Sequence, residues 1–131
     1  MNSYEPIPAE TECTAKSVIN AAMKVHRTLG PGLLESVYQA CLCYELAHRG
    51  IPFKAEVSLP VVYEGVRLDA GLRLDLLLDN RVIAELKAVQ EVHPVFEAQL
   101  LTYLKLTGLR LGLLINFNVP LLKNGIKRVV L

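Results

Sequence analysis

Asp75, Glu85 and Lys87 are charged residues set among the apolar runs Leu76-Leu77-Leu78 and Val82-Ile83-Ala84. Strand side chains alternate in direction. On a strand, Asp75 therefore shares a face with Arg73 and Leu77, and Glu85 shares one with Ile83 and Lys87. A three-residue loop, Asp79-Asn80-Arg81, would pair Leu78 with Val82 and set Asp75 opposite Glu85. Leu74, Leu76, Ala84 and Leu86 then point to the other face, into apolar packing. A two-residue loop would instead shift the pairing by one.

Two facing carboxylates repel unless a cation lies between them. A divalent metal answers that need, and Mg²⁺ favours one or two carboxylates completed by water and phosphate oxygens. Lys87 returns to the face of Glu85, where an ammonium can stabilise charge developing on a phosphate or help position the attacking water. The plainer reading is a solvated strand face carrying a Lys–Glu pair. The apolar context argues against it. A strand pair covered on both faces tolerates charge only with a partner or a function.

The elements that must hold these residues are legible from periodicity and breakers. Val18, Ala22, Val25 and Leu29 recur at helical spacing and predict a first helix over Ala9–Leu29. Gly30-Pro31-Gly32 stops it. A second helix begins near Leu33 and ends at His48-Arg49-Gly50, with Leu34, Val37, Cys41 and Leu42 on its apolar face. Strands follow at Val57–Tyr63, Leu72–Leu78 and Val82–Ala88, with a turn at Glu64-Gly65. Pro94 opens a third helix that reaches Thr107, and Gly108 closes it. Leu111–Phe117 and Ile126–Leu131 read as further strands. The order α-α-β-β-β-α-β-β suits a mixed sheet flanked by helices, with a βαβ crossover around the third helix.

At 131 residues and 52% hydrophobic content, the chain fits one domain, 1–131, with a sizeable core. Only the first few residues are expected to lie outside it. No apolar run approaches the roughly 18 residues of a membrane span. The start, Met-Asn-Ser-Tyr-Glu-Pro, lacks the pattern of a secretory signal. A cytoplasmic protein with no membrane partner is the expectation. The net charge of +1 excludes a strong global field for nucleic acid, though not a local basic strip. Cys13, Cys41 and Cys43 are odd in number, and the last two face different ways on a helix. We expect all three reduced and packed. The apolar C-terminal residues Val129-Val130-Leu131 could pair at a sheet edge in a homo-oligomer.

With the hairpin and helices in view, the chain resembles the GxxExxY family of the PD-(D/E)XK nuclease superfamily. The naming motif stands as Gly32-Leu33-Leu34-Glu35-Ser36-Val37-Tyr38, preceded by Val25-His26-Arg27-Thr28-Leu29-Gly30-Pro31. The superfamily core stands as Asp75, then Glu85-Leu86-Lys87. Ala98-Gln99-Leu100-Leu101-Thr102-Tyr103 is similar to the QxxxY motif of RecB-like nucleases, and Gly112-Leu113-Leu114-Ile115-Asn116-Phe117 also fits. The likeness covers Ala15 to Leu131. Leu74 stands in place of the motif's proline, and Asp69 is a rival first acid with a longer connection to Glu85.

The resemblance implies a three-layer αβα restriction-endonuclease-like fold and a nuclease that hydrolyses phosphodiester bonds of DNA or RNA. Asp75 and Glu85 would ligate Mg²⁺ or Mn²⁺, with the Leu86 backbone carbonyl as a further ligand. Lys87 would be the catalytic lysine. Glu35 would hold metal or orient water, Gln99 would orient the lysine or water, and Tyr103 would hydrogen-bond a phosphate. The alternative is a catalytically inactive nucleic-acid- or protein-binding module on the same fold.

Each helical residue also has an ordinary reading. Glu35 suits a helix N-terminus. Tyr38 can pack on the core side of its helix, and Gln99 with Tyr103 can form a half-buried face. His26 would add a metal ligand only if the first helix reaches the site; a hydrogen-bonded core histidine is the simpler role. His48 and His93 read as cap or loop residues.

Overall fold

The computed structural model describes residues 5–131. The expectation of a loose start to the chain falls on residues 1–4, outside the described residues. Three helices and five strands follow in the order α1 (Ala9–Leu29), α2 (Glu35–His48), β1 (Phe53–Tyr63), β2 (Val66–Leu78), β3 (Val82–Lys87), α3 (Pro94–Thr107), β4 (Leu111–Asn116) and β5 (Ile126–Val130). A short 3-10 turn, Leu122–Gly125, precedes the last strand. No helix among the described residues is long and apolar enough to cross a membrane.

The sheet order is β1-β2-β3-β4-β5. All neighbouring pairs are antiparallel except β3 and β4, which run parallel through the α3 crossover. This is the expected mixed sheet flanked by helices. α1 and α2 cover one face, packing Val18, Ala22, Val25, Tyr38, Leu42 and Leu46 on Leu76, Leu86, Leu113 and Ile115. α3 covers the other, where Leu100, Tyr103 and Leu104 meet Leu74, Ile83, Leu114 and Val129. Both β3 and β4 are buried along nearly their full length, as a parallel pair between helix layers must be.

Local chemistry sets the boundaries. Gly30, at φ 72°, closes α1 with its N–H donating to the His26 carbonyl. The His93 side chain caps α3 by accepting from Val95 N–H, Pro94 occupies the first turn, and Gly108 ends the helix in the left-handed region. Between β2 and β3, Asp79 and Asn80 both take positive φ, which short polar side chains tolerate. Arg81 N–H donates to the Leu78 carbonyl. The loop thus holds three residues, and Leu78 pairs with Val82.

The structure corrects several expectations. β1 and β2 are longer than the apolar runs suggested and extend through polar residues, because main-chain pairing to each other carries them past the core. Of the residues expected on the apolar face of α2, Leu42 is fully buried and Cys41 partly so, but Leu34, the N-cap, is 73% exposed and Val37 lies at the surface, while Tyr38 and Leu46 join the buried positions. The inward stripe is rotated by about one residue. Cys41 and Cys43 are partly buried, but Cys13 is exposed on α1; all three are free thiols. The largest correction concerns Leu74, which packs under α3 and not with Leu76.

Candidate active site at a strand fork

Strict alternation would put Leu72, Leu74, Leu76 and Leu78 on one face of β2. Instead Leu76 and Leu78 join the α1/α2 core, while Leu72 and Leu74 join Leu77 in the α3 core. The face therefore switches at Asp75, and Arg73 does not share a face with Leu77. β1 switches at the same level: Phe53 packs with the α1/α2 core, and Val57 and Leu59 with the α3 core. Between them lies Glu56, at φ 54°. Ala55 pairs with Leu76 and Val57 with Leu74, so Glu56 and Asp75 sit at the crossing point.

The β2–β3 ladder ends at this level. Its last pair is Leu76 with Ala84. One step further, Asp75 lies across from Glu85, and side chains replace main-chain carbonyls as acceptors. Asp75 N–H donates to Glu85 Oε2 at 2.9 Å. Leu86 N–H donates to Asp75 Oδ2 at 2.8 Å. Beyond the fork β2 leaves β3 and continues with β1 as a two-stranded arm.

The fork lies between α2 and α3, and both helices send groups into its field. Glu85 is 4% exposed. Burial, and then the negative charge of Asp75, push its carboxyl up to about 8. Burial also raises the Asp75 carboxyl, against the opposing effects of the Leu86 N–H and Lys87. Glu35, the first residue of α2, is raised by burial; Lys87 opposes this, and Asp75 and Glu56 add to it. From α3, the Tyr103 hydroxyl is raised by burial and by the charges of Glu85 and Asp75. Asp75, Glu85, Lys87, Glu35 and Tyr103 thus act on one another electrostatically. Gln99 shares the Tyr103 side of α3 but is exposed.

His26 has a separate role. It is buried on α1, where Nε2–H donates to the Val119 carbonyl at 2.8 Å. That bond ties the ring to the loop before β5, far along the chain from the fork, and suits the core-histidine reading. Tyr38 is fully buried, stacked on Phe117 with ring centroids 4.5 Å apart. Its hydroxyl donates to the Gly30 carbonyl at 2.6 Å and accepts from Leu33 N–H at 3.2 Å. It ties the Gly30–Leu34 loop to the first turn of α2, and so fixes where Glu35 starts.

Three further residues escaped the sequence reading. Glu56 is a fourth carboxylate in the field of Asp75 and Glu35, and it accepts from Gln39 and pairs loosely with Arg73. It lies one residue before the apolar run Val57–Tyr63 that marked the strand, so it offered no signal. Asn116 is buried at the end of β4, paired with Lys87 in the parallel ladder. Its Oδ1 accepts from Val89 N–H and its Nδ2 donates to the Val89 carbonyl, both at 3.0 Å. The chain leaving Lys87 is thereby pinned. Phe96, in the first turn of α3, lies under the Lys87 ammonium.

The donor set at the fork is oxygen-only: two carboxylates from neighbouring strands, with the Leu86 carbonyl beside them in the chain. Such hard donors fit Mg²⁺ or Mn²⁺ and not a soft metal. Among the described residues no cluster of three or more His, Cys, Asp and Glu side chains forms a closed metal cage. An ion here would need water or phosphate oxygens to complete its shell, which is the usual habit of Mg²⁺.

A family model for the PD-(D/E)XK nuclease superfamily matches residues 12–129. No curated protein and no solved structure matches the chain.

Proposed function

This chain belongs to the PD-(D/E)XK nuclease superfamily, and from that premise we propose that it hydrolyses phosphodiester bonds of nucleic acid with the help of a divalent cation. The single observation that carries the reading is the reciprocal pair at the fork, Asp75 N–H on Glu85 and Leu86 N–H on Asp75. Main-chain donors hold both carboxylates in a fixed relation, and Lys87 follows two residues later on the same strand.

Asp75, Glu85 and the Leu86 carbonyl are the groups that would hold Mg²⁺ or Mn²⁺. When bound, the cation supplies Lewis-acid chemistry, making water more acidic and screening charge on the phosphoryl oxygens. Lys87 brings an ammonium to the oxygens on which negative charge grows. Glu35 reaches the same field from α2 and orients the attacking water. Tyr103 donates its hydroxyl to a phosphate oxygen, and Gln99, one turn away on α3, orients Lys87 or water. Within the superfamily we assign the chain to the GxxExxY group on the run Gly32 to Tyr38. Residues 1–131 would act as one domain, in the cytoplasm, on DNA or RNA.

The test is cleavage of labelled single- and double-stranded DNA and RNA with Mg²⁺ or Mn²⁺, with folding checked by circular dichroism. Metal-dependent cleavage that vanishes in folded Glu85→Ala and Lys87→Ala proteins supports the reading. A wild-type protein that binds these substrates and cuts none of them overturns it in favour of a binding module.

A further inference from the structure

Lys87 stands beside two carboxylates, yet its ammonium is bonded to neither. Among the described residues no Asp or Glu oxygen lies within salt-bridge distance of Lys87 Nζ, although six other basic residues make such pairs. The ammonium sits instead over the ring of Phe96, 4.4 Å from its centroid.

A lysine stem has four rotatable carbons, and its charge is a mobile point source. Left free next to Asp75 and Glu85, it would fold onto one of them and lose its use as a phosphate ligand. The negative face of an aromatic ring attracts a cation without neutralising it and without competing for carboxylate oxygens. Phe96 is well placed to supply that face. It occupies the first turn of α3, where the His93 cap and the Phe96 N–H bond to the His93 carbonyl fix the backbone. It also packs against the core beneath α3. Phe96, Gln99 and Tyr103 stand at i, i+3 and i+7, one stripe of a helix. The stripe runs from beneath Lys87 at one end to the hydroxyl that feels Glu85 and Asp75 at the other.

We propose that Phe96 is a positioning residue: its ring holds the Lys87 ammonium clear of Asp75 and Glu85 so that it meets the phosphate as a free cation. The proposal rests on the hydrolase reading, so its test has one readout that needs no activity. A lysine εCH₂ group over an aromatic ring is shifted upfield in proton NMR. In protein labelled at lysine Cε, the Lys87 signal is identified by its loss in Lys87→Arg. Wild type and Phe96→Tyr should show it upfield, and Phe96→Leu should return it to the position of the other lysines. In cleavage assays with saturating Mn²⁺, Phe96→Leu should lower kcat about tenfold with KM within about twofold of wild type, and Phe96→Tyr should restore kcat.

An unshifted Lys87 signal in a wild-type protein that cleaves overturns the positioning role alone. A shifted signal with kcat unchanged in Phe96→Leu also overturns it. A shifted signal in a wild-type protein that cleaves nothing overturns the hydrolase reading, and the positioning role falls with it.

Discussion

Asp75 and Glu85 are joined across two diverging strands by main-chain donors: Asp75 N–H to the Glu85 carboxylate at 2.9 Å, and Leu86 N–H to the Asp75 carboxylate at 2.8 Å. The carboxylates therefore do structural service at the fork as well as any chemistry. Replacing them separates into two effects, one on charge and one on hydrogen bonding.

Asp75→Asn keeps an oxygen that can accept from Leu86 N–H, while Asp75→Ala leaves that donor without an acceptor. An unsatisfied buried group costs about 1–3 kcal/mol. Both variants should lose metal-dependent cleavage. Only Asp75→Ala should also lose stability of that order in urea denaturation, because Asn removes repulsion with Glu85 and keeps the bond. Equal stability loss in both variants would show that the charge, not the bond, holds the fork.

The Glu85 carboxyl, raised to about 8 in the folded chain, sets a pH dependence for the metal-free protein. In the unfolded chain Glu85 titrates near its ordinary value, so between about pH 4.5 and 8 the folded state binds more protons. Stability thus falls as pH rises through this window. In chelator, the melting temperature should drop by on the order of 10 °C across it. Glu85→Gln should flatten the slope. Added Mg²⁺ should raise the melting temperature most at the alkaline end, where both carboxylates are ionised. A slope unchanged by Glu85→Gln would assign it to another group.

Tyr38 belongs to the motif that names the resemblance, yet it faces the core and not the fork. Tyr38→Phe keeps the stack on Phe117 and removes the bonds to Gly30 and Leu33. The expected loss is about 1–2 kcal/mol of stability, with a partial fall in kcat from a looser Glu35. Tyr38→Ala should cost about 3–5 kcal/mol. Full loss of cleavage in a normally stable Tyr38→Phe protein would instead assign its hydroxyl to the chemistry.

Local pattern carried the elements far. The 3.6-residue recurrence of Val18, Ala22 and Val25, the stop at Gly30 and the Pro94–Gly108 bounds of α3 are properties of short segments, and the structure repeats them. The three-residue loop at Asp79–Arg81 depends on the left-handed tolerance of Asp and Asn, which is also local, and it sets Leu78 against Val82. The pairing that follows was readable for the same reason. Alternation failed at Leu74, because it assumes that a strand keeps one partner and one twist along its length. The switch at Asp75 comes from Glu56 on another strand and from the end of the β3 ladder, and no window of β2 contains either. On α2 the period places Leu42 inward correctly but not Leu34 and Val37, for a similar reason: Tyr38 is drawn inward by Phe117 and the Gly30 carbonyl, partners distant in sequence or in another loop.

The level at which Asp75 meets Glu85 was thus written in the sequence, since a three-residue loop that pairs Leu78 with Val82 brings position 75 across from position 85. What only the tertiary structure decided is the fork that binds each carboxylate to the other strand's backbone, and the helix that brings Phe96 and Tyr103 to it. Those relations span breaks in the sheet and a crossover. They depend on how whole elements pack, which sequence spacing alone does not encode.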